Sequence, residues 1–236
     1  MNEKKLPVSK RLLCCAELVP PGARVADIGC DHGYLSIELL RSGRAVFAHA
    51  CDLREQPLKS AMKNALRFGV TEKMRFSVAD GLKALDPDEV DTVVCAGMGG
   101  ELIAKLIEAA PWLRNEKYTL VLQPQSCVNE LRRRLSEMGF AIEMERLAED
   151  GRFLYVILRA RYGKTSVLSP GQEYCSPQLL CSGEPLLSDY LRRTEKALRI
   201  AVEGRRSSRD PEGGNLAYYE AALQEICEME ERLCQR

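Results

Sequence analysis

Arg24-Val25-Ala26-Asp27-Ile28-Gly29-Cys30-Asp31-His32-Gly33-Tyr34 is an apolar run that ends in a carboxylate, turns on glycines and starts a helix. Such a strand-turn-helix junction aims backbone N–H groups and a positive helix terminus into one crevice, and glycine lets a ligand come close to the backbone. A turn built for a pyrophosphate follows G-x-G-x-x-G, so that phosphates lie against bare main chain. Here the second of those positions is Asp31, whose carboxylate repels phosphates. The spacing Asp27-x-Gly29-x-x-x-Gly33 suits a ligand that is cationic where a dinucleotide is anionic.

Two more strand ends carry acids. Ala45-Val46-Phe47-Ala48-His49-Ala50-Cys51 runs into Asp52, close to the ~20-residue offset at which an acid grips ribose hydroxyls. Met74-Arg75-Phe76-Ser77-Val78 leads to Asp80-Gly81, where a carboxylate is placed to accept a hydrogen bond from an adenine amino group. Ligands of open α/β sheets bind at the C-terminal ends of the strands, so three acids in that position on successive strands point to one site. A nucleoside with a sulfonium and an amino acid end satisfies all of them. The expected cofactor is S-adenosylmethionine, held by Asp27, Gly29, Cys30, Gly33, Asp52, Asp80, Gly81 and Ala96, with no metal.

The surrounding chain alternates as a doubly wound sheet requires. A helix over 9–18, with Ser9 as N-cap, is stopped by Pro20-Pro21-Gly22. Strands are expected at 24–28, 45–51, 74–78, 91–96 and 118–123, with helices over 33–42, 55–68, 99–110 and 126–138, the last capped by Ser126. The pattern then changes: 140–147 and 153–160 are strand-like and joined by Glu149-Asp150-Gly151-Arg152, a hairpin turn. Five parallel strands closed by an antiparallel hairpin make an α/β fold of the class I methyltransferase (Rossmann-like) type, where a dehydrogenase continues β-α-β. The division expected is a cofactor-binding domain over 1–162, a Ser/Pro/Gly-rich linker over 163–185, and an antiparallel helical hairpin of coiled-coil character over 186–236.

Composition narrows the class further. With 236 residues and 45% hydrophobic content the chain has material for one substantial core, and no apolar run approaches the ~20 residues of a membrane span. The start of the chain leads into no signal-peptide core, and the ten cysteines form no C-x-x-C pair, so reduced thiols in a cytoplasm are expected. The 34 basic and 34 acidic residues balance, which gives net charge no part in attracting nucleic acid. Local clusters do supply phosphate contacts: Lys4-Lys5, Lys10-Arg11, Arg132-Arg133-Arg134, Arg192-Arg193 and Arg205-Arg206 with Arg209. The alternative for each cluster is the solvated face of a helix.

Ser9-Lys10-Arg11-Leu12, Ala26-Asp27-Ile28-Gly29-Cys30-Asp31-His32-Gly33-Tyr34-Leu35, Val94-Cys95-Ala96-Gly97-Met98-Gly99-Gly100 and Leu122-Gln123-Pro124 together resemble a bacterial family. It is the TrmK family of tRNA (adenine-N1)-methyltransferases, which act on adenine 22 of the D-arm. The resemblance covers the chain to about residue 162 at motif level, and the hairpin matches in architecture. Where the family often has Ser-Asp-His-Ala, this chain has Cys30-Asp31-His32-Gly33, which restores the generic methyltransferase turn. The resemblance implies a tRNA substrate.

Adenine N1 carries a lone pair at neutral pH, so its methylation needs placement more than a base. The product ring is cationic, and Asp31 is the candidate to favour that charge, with His32 orienting the base or moving a proton at N6. The alternatives are a helix cap for Asp31 and a turn hydrogen bond for His32. Gly97 and Met98 are expected at the adenine edge, the glycine for close approach and the thioether as a soft contact, unless the loop serves only helix packing. Gln123 is expected to read N6 or N7 of the adenine, or else to satisfy a strand-end backbone group. Lys10, Arg11, Arg192, Arg193, Arg205 and Arg206 are the expected RNA contacts. Two other functions fit the glycine turn: a class I methyltransferase acting on another RNA base, a protein or a small molecule, and a non-catalytic S-adenosylmethionine-binding protein. The hairpin would then serve a partner or a dimer, and the oligomeric state stays open between monomer and weak dimer.

Overall fold

A computed structural model describes residues 6–207 and 215–234. Lys4, Lys5 and Arg209 of the basic clusters lie outside the described residues. The chain runs α1 (Lys10–Leu18), β1 (Ala23–Ile28), α2 (Tyr34–Arg41), β2 (Ala45–Asp52), α3 (Glu55–Phe68), β3 (Met74–Val78), β4 (Thr92–Gly99), α4 (Gly100–Glu108), β5 (Thr119–Ser126) and α5 (Val128–Glu137). It continues through β6 (Phe140–Asp150), β7 (Phe153–Tyr162), α6 (Pro170–Tyr174), α7 (Pro177–Leu180), α8 (Leu187–Arg206) and α9 (Leu216–Cys234).

Seven strands form one sheet in the order β3-β2-β1-β4-β5-β7-β6. The first five are parallel, while β7 is antiparallel to both β5 and β6. The order reverses at β1, and the crevice beside β1, β2 and β4 is where such sheets take ligands. Side-chain alternation splits the core into two layers. Val25, Val94, Val121 and Ile157 pack with α1 and α2 on one face. Ala26, Val93, Cys95, Leu120, Leu122 and Leu158 pack with α4 and α5 on the other. Central strands buried on both sides explain their near-continuous Val, Leu, Ile and Ala runs.

Several boundaries differ from expectation for local reasons. β4 continues through the glycine loop to Gly99, because Met98 and Gly99 still register with Pro124 and Ser126 of β5. Ser126 ends β5 instead of capping α5, whose N-cap is Cys127 in the left-handed region at φ 53°. Ser9 does occupy the N-cap of α1, but its buried hydroxyl makes no capping bond. The segment expected as a linker holds α6 and α7, each started by Ser-Pro with the serine side chain accepting a backbone N–H; Ser169 and Gln172 complete a capping box.

The expected helical hairpin is α8 and α9. Arg206 pairs with Glu220 and Arg199 contacts Cys227, so positions rise along one helix as they fall along the other, which makes the pair antiparallel. Their apolar stripes, Leu187, Leu191 and Leu198 with Ala222, Ile226 and Met229, join the same buried cluster as α4 and α5.

Candidate functional site

The first turn is built by its neighbours. Gly29 and Cys30 donate backbone N–H bonds to the Cys51 carbonyl at 2.8 and 3.0 Å, and Asp31 N–H donates to the Asp52 carboxylate at 3.3 Å. The other Asp52 oxygen accepts from the Arg54 N–H at 3.0 Å. Asp52 is thereby clamped at the end of β2 beside the glycine turn, with lone pairs left for hydroxyl donors. Gly29 and Gly33 are both left-handed, at φ 69° and 70°. A side chain on Gly33 would strike Ala61, so this glycine serves the α2–α3 contact, whereas one on Gly29 would sit 2.5 Å from Met98 Cε. The Met98 thioether thus lies directly over the turn.

Asp27 forms the floor. It is buried, accepts a 2.6 Å hydrogen bond from the Ser36 hydroxyl, and is pushed up to about 6 by burial, with the Ser36 bonds opposing and the Asp52 charge adding to the rise. Cys30 is buried too; burial first, and then the Asp27 and Asp52 charges, push its thiol well above the ordinary range, so it stays protonated. Asp31 is exposed at the mouth, at φ 50°, a left-handed conformation that aspartate and asparagine tolerate and most other side chains do not. The His32 ring nitrogen is 3.7 Å from its carboxylate, and the His32 carbonyl accepts from the Asn64 amide at 3.0 Å.

Arg11, Asp27, Gly29, Cys30, Asp31, His32 and Ala96 therefore line one crevice. Arg11, expected as an RNA contact, lies in this crevice: its guanidinium donates to Gln123 at 2.7 Å and lies 3.5 Å from where a side chain on Gly97 would begin. Gln123 is fully buried, its amide engaged by Arg11 and by the Pro124 carbonyl. Of the two expectations for Gln123, the structure displays the strand-end backbone bond, together with a side-chain bond from Arg11. Gly100 has no room for a side chain, which would overlap the Cys127 carbonyl. Asp80 is exposed and paired with Lys83, and a side chain on Gly81 would strike Leu106, so that glycine answers to packing. Ala79, next to Asp80, donates to the Asp52 carbonyl at 2.9 Å, which keeps the end of β3 beside that of β2.

The remaining basic clusters separate. Arg132 is not a surface residue: it is fully buried, paired with Glu145 at 2.8 Å and donating to the Glu173 and Tyr174 carbonyls. Arg133 and Arg134 pair with Glu130 and Glu108. Lys10 is exposed on α1. On α8, Arg193 pairs with Asp189 at 2.7 Å, Arg192 with the same acid at 3.9 Å, and Arg206 with Glu220, while Arg205 lies 3.5 Å over the Tyr219 ring. Two features had escaped the sequence reading: Ser36, nine positions after Asp27 and recognisable as one helical turn into α2, and Tyr155, whose ring lies 6.0 Å from the Arg11 guanidinium.

The donor set discriminates among candidate ligands. Asp27, Asp31 and Asp52 converge on a turn whose glycine N–H groups are already taken by the Cys51 and Cys30 carbonyls, a field that opposes phosphate and favours a ligand with an ammonium and a sulfonium. Comparison with known proteins agrees. Residues 8–158 match the family model described as a methyltransferase domain. The tRNA (adenine(22)-N(1))-methyltransferase of Bacillus subtilis (strain 168) is 36% identical over 163 residues, 69% of this chain and 68% of that protein. The chain belongs to this tRNA (adenine(22)-N(1))-methyltransferase family. The crystal structure of the B. subtilis M1A22 tRNA methyltransferase TrmK superposes with a TM-score of 0.85 at 26% identity, covering 96% of this chain and all of that one. A Streptococcus pneumoniae protein solved in complex with S-adenosyl-L-methionine gives 0.80 at 32% identity, covering 94% and 99%. The structural likeness thus extends through the helical pair. Among the described residues no helix is long and apolar enough to cross a membrane.

Proposed function

We infer that this protein transfers a methyl group from S-adenosylmethionine to N1 of adenine 22 in the D-arm of tRNA, working in the cytoplasm. The observation that carries the reading is the acid-lined glycine turn at the ends of β1 and β2, in a chain whose relatives of near-equal length act on that nucleotide. S-adenosylmethionine supplies an electrophilic methyl group on a cationic sulfur. Asp52 accepts from the ribose hydroxyls, and Asp27, ionised when a cation sits against it, accepts from the ammonium.

The target adenine must leave its stack to reach the crevice, at a cost of a few kcal/mol. Once there, alignment of N1 with the transferable methyl supplies most of the acceleration, up to roughly 7–11 kcal/mol in well-aligned systems. Asp31, at the mouth, faces the ring as it becomes cationic, and His32 beside it orients the base or takes part in the proton balance at N6. Gly97 and Met98 border the base, with Arg11 held over Gly97 by Gln123. Incubating tRNA with the protein and S-adenosylmethionine and analysing nucleosides by mass spectrometry tests the reading. 1-Methyladenosine should form, and should vanish when adenine 22 is replaced by guanine; a protein that binds the cofactor and yields no methylated adenosine would overturn it.

A further inference from the structure

Because β7 is antiparallel to β5, with Leu158 opposite Leu122, its first residues project from the same end of the sheet as the cofactor crevice. From that crevice outward, two neighbouring aromatic rings run between two guanidinium groups. Arg11 lies 6.0 Å from the Tyr155 ring, Tyr155 lies 6.1 Å from Phe153, and Arg152 lies 5.0 Å over Phe153. Phe153 is 52% exposed, an unusual cost for a phenylalanine at a turn. It forms one wall of a cavity of about 420 Å³ between the β6–β7 turn and α8, whose other walls include Tyr174, Tyr190, Tyr219 and Arg193. The described lining residues include two arginines and no carboxylate. The walls are fixed in advance: the Tyr190 hydroxyl donates to the Tyr174 carbonyl and meets the buried Arg132, and Arg205 covers the Tyr219 ring.

We propose that this cavity holds one unpaired nucleotide of the RNA substrate, close along the strand to the adenine being methylated. Aromatic faces bordered by guanidinium groups are what an unstacked strand requires, the rings for bases and the cations for phosphates. A tRNA that yields a base to the crevice opens its own stack nearby, and a neighbour thus released needs a surface. The Arg193–Asp189 pair does not stand in the way: it is a half-exposed i,i+4 contact, which a phosphate displaces at little cost.

The inference rests on the tRNA-methylating reading, and one experiment keeps the two apart. Methylation kinetics and cofactor titration are measured on the full chain for wild type, Phe153→Ala, Phe153→Tyr and Ala197→Trp. The last variant fills the cavity from an exposed position of α8 without removing any contact. Phe153→Ala and Ala197→Trp are expected to raise KM for tRNA about tenfold or more, as loss of one base stack predicts, with kcat and cofactor affinity within about twofold of wild type and Phe153→Tyr near normal. A KM close to wild type in both Phe153→Ala and Ala197→Trp, on an enzyme that methylates tRNA, overturns the nucleotide site and leaves the activity standing. A wild type that binds cofactor but methylates no tRNA overturns both.

Discussion

Asp27 shows how one buried carboxylate links cofactor binding to pH. Burial raises its pKa to about 6, so the free protein disfavours its charge. The stability tied to this group is fully present below the unfolded value near 3.8 and is lost as pH rises through about 6. Binding of a cation works the other way, since only the ionised form attracts an ammonium. S-adenosylmethionine affinity is therefore expected to climb as pH rises from 5 to 7, by up to about tenfold per unit below the pKa, and then to level off. Asp27→Asn should flatten that slope in calorimetric titrations and, without cofactor, should help thermal stability at pH 8 more than at pH 5; a slope that survives the substitution places the titrating group elsewhere. Asp31 calls for a different variant. Its left-handed backbone strains alanine, whereas asparagine tolerates that region and removes only the charge. Asp31→Asn is expected to lower single-turnover methylation by about an order of magnitude or more with cofactor affinity little changed, because its carboxylate is assigned to the cationic product side. Equal losses in both would make it a cofactor residue.

Among the elements, α5, β6, α6 and α8 meet at one buried ion pair. Burial works against the charge of Arg132, yet Glu145 and Tyr190 more than offset it and the guanidinium is held charged, with two main-chain carbonyls accepting its remaining N–H bonds. Removing one partner strands the other: Arg132→Ala should cost about 3–5 kcal/mol in urea unfolding, while Arg132→Met combined with Glu145→Leu should recover much of that loss. If the double variant is no more stable than the single one, the pair is not the source of the cost. This pair also marks where sequence reading stops. The parallel strands, the β6–β7 hairpin and the acids at the strand ends were legible because short apolar runs and turn chemistry are local. Arg132 was not, since three consecutive arginines look the same whether a given one faces water or an opposing Glu145 thirteen positions later. The Gln123 partner was hidden for the same reason: the strand-end position was legible, whereas the Arg11 that bonds to it comes from a helix 112 positions earlier. The capped turns of α6 and α7 were spelled by Ser169-Pro170 and Ser176-Pro177, whose loop-like composition outweighed their capping signal.

At the scale of the molecule, the helical pair is built into the core and is also divided in charge. Cutting the chain after Tyr162 would strip Arg132 of the Glu173 and Tyr174 carbonyls and uncover the cluster that Leu179, Leu187 and Leu191 complete, so truncation tests folding before it tests function. The charge division offers a cleaner test. α8 carries six basic and three acidic residues, whereas α9 carries five acidic residues and Arg232 alone as a cation. By charge α8 is the better suited of the two to approach RNA, and Arg192 and Lys196 are two of its five exposed cations, the other three being held in close ion pairs to Asp189, Glu195 and Glu220. Arg192→Ala with Lys196→Ala should leave thermal stability nearly unchanged, because exposed pairs on one helix contribute little. If each cation meets one phosphate, the slope of log affinity for tRNA against log salt should become shallower by about two. Light scattering on the same variant supplies the opposing outcome. A hairpin that serves as a dimer seam would change the mass in solution and leave the salt slope as it was, and that result would remove α8 from the RNA interface.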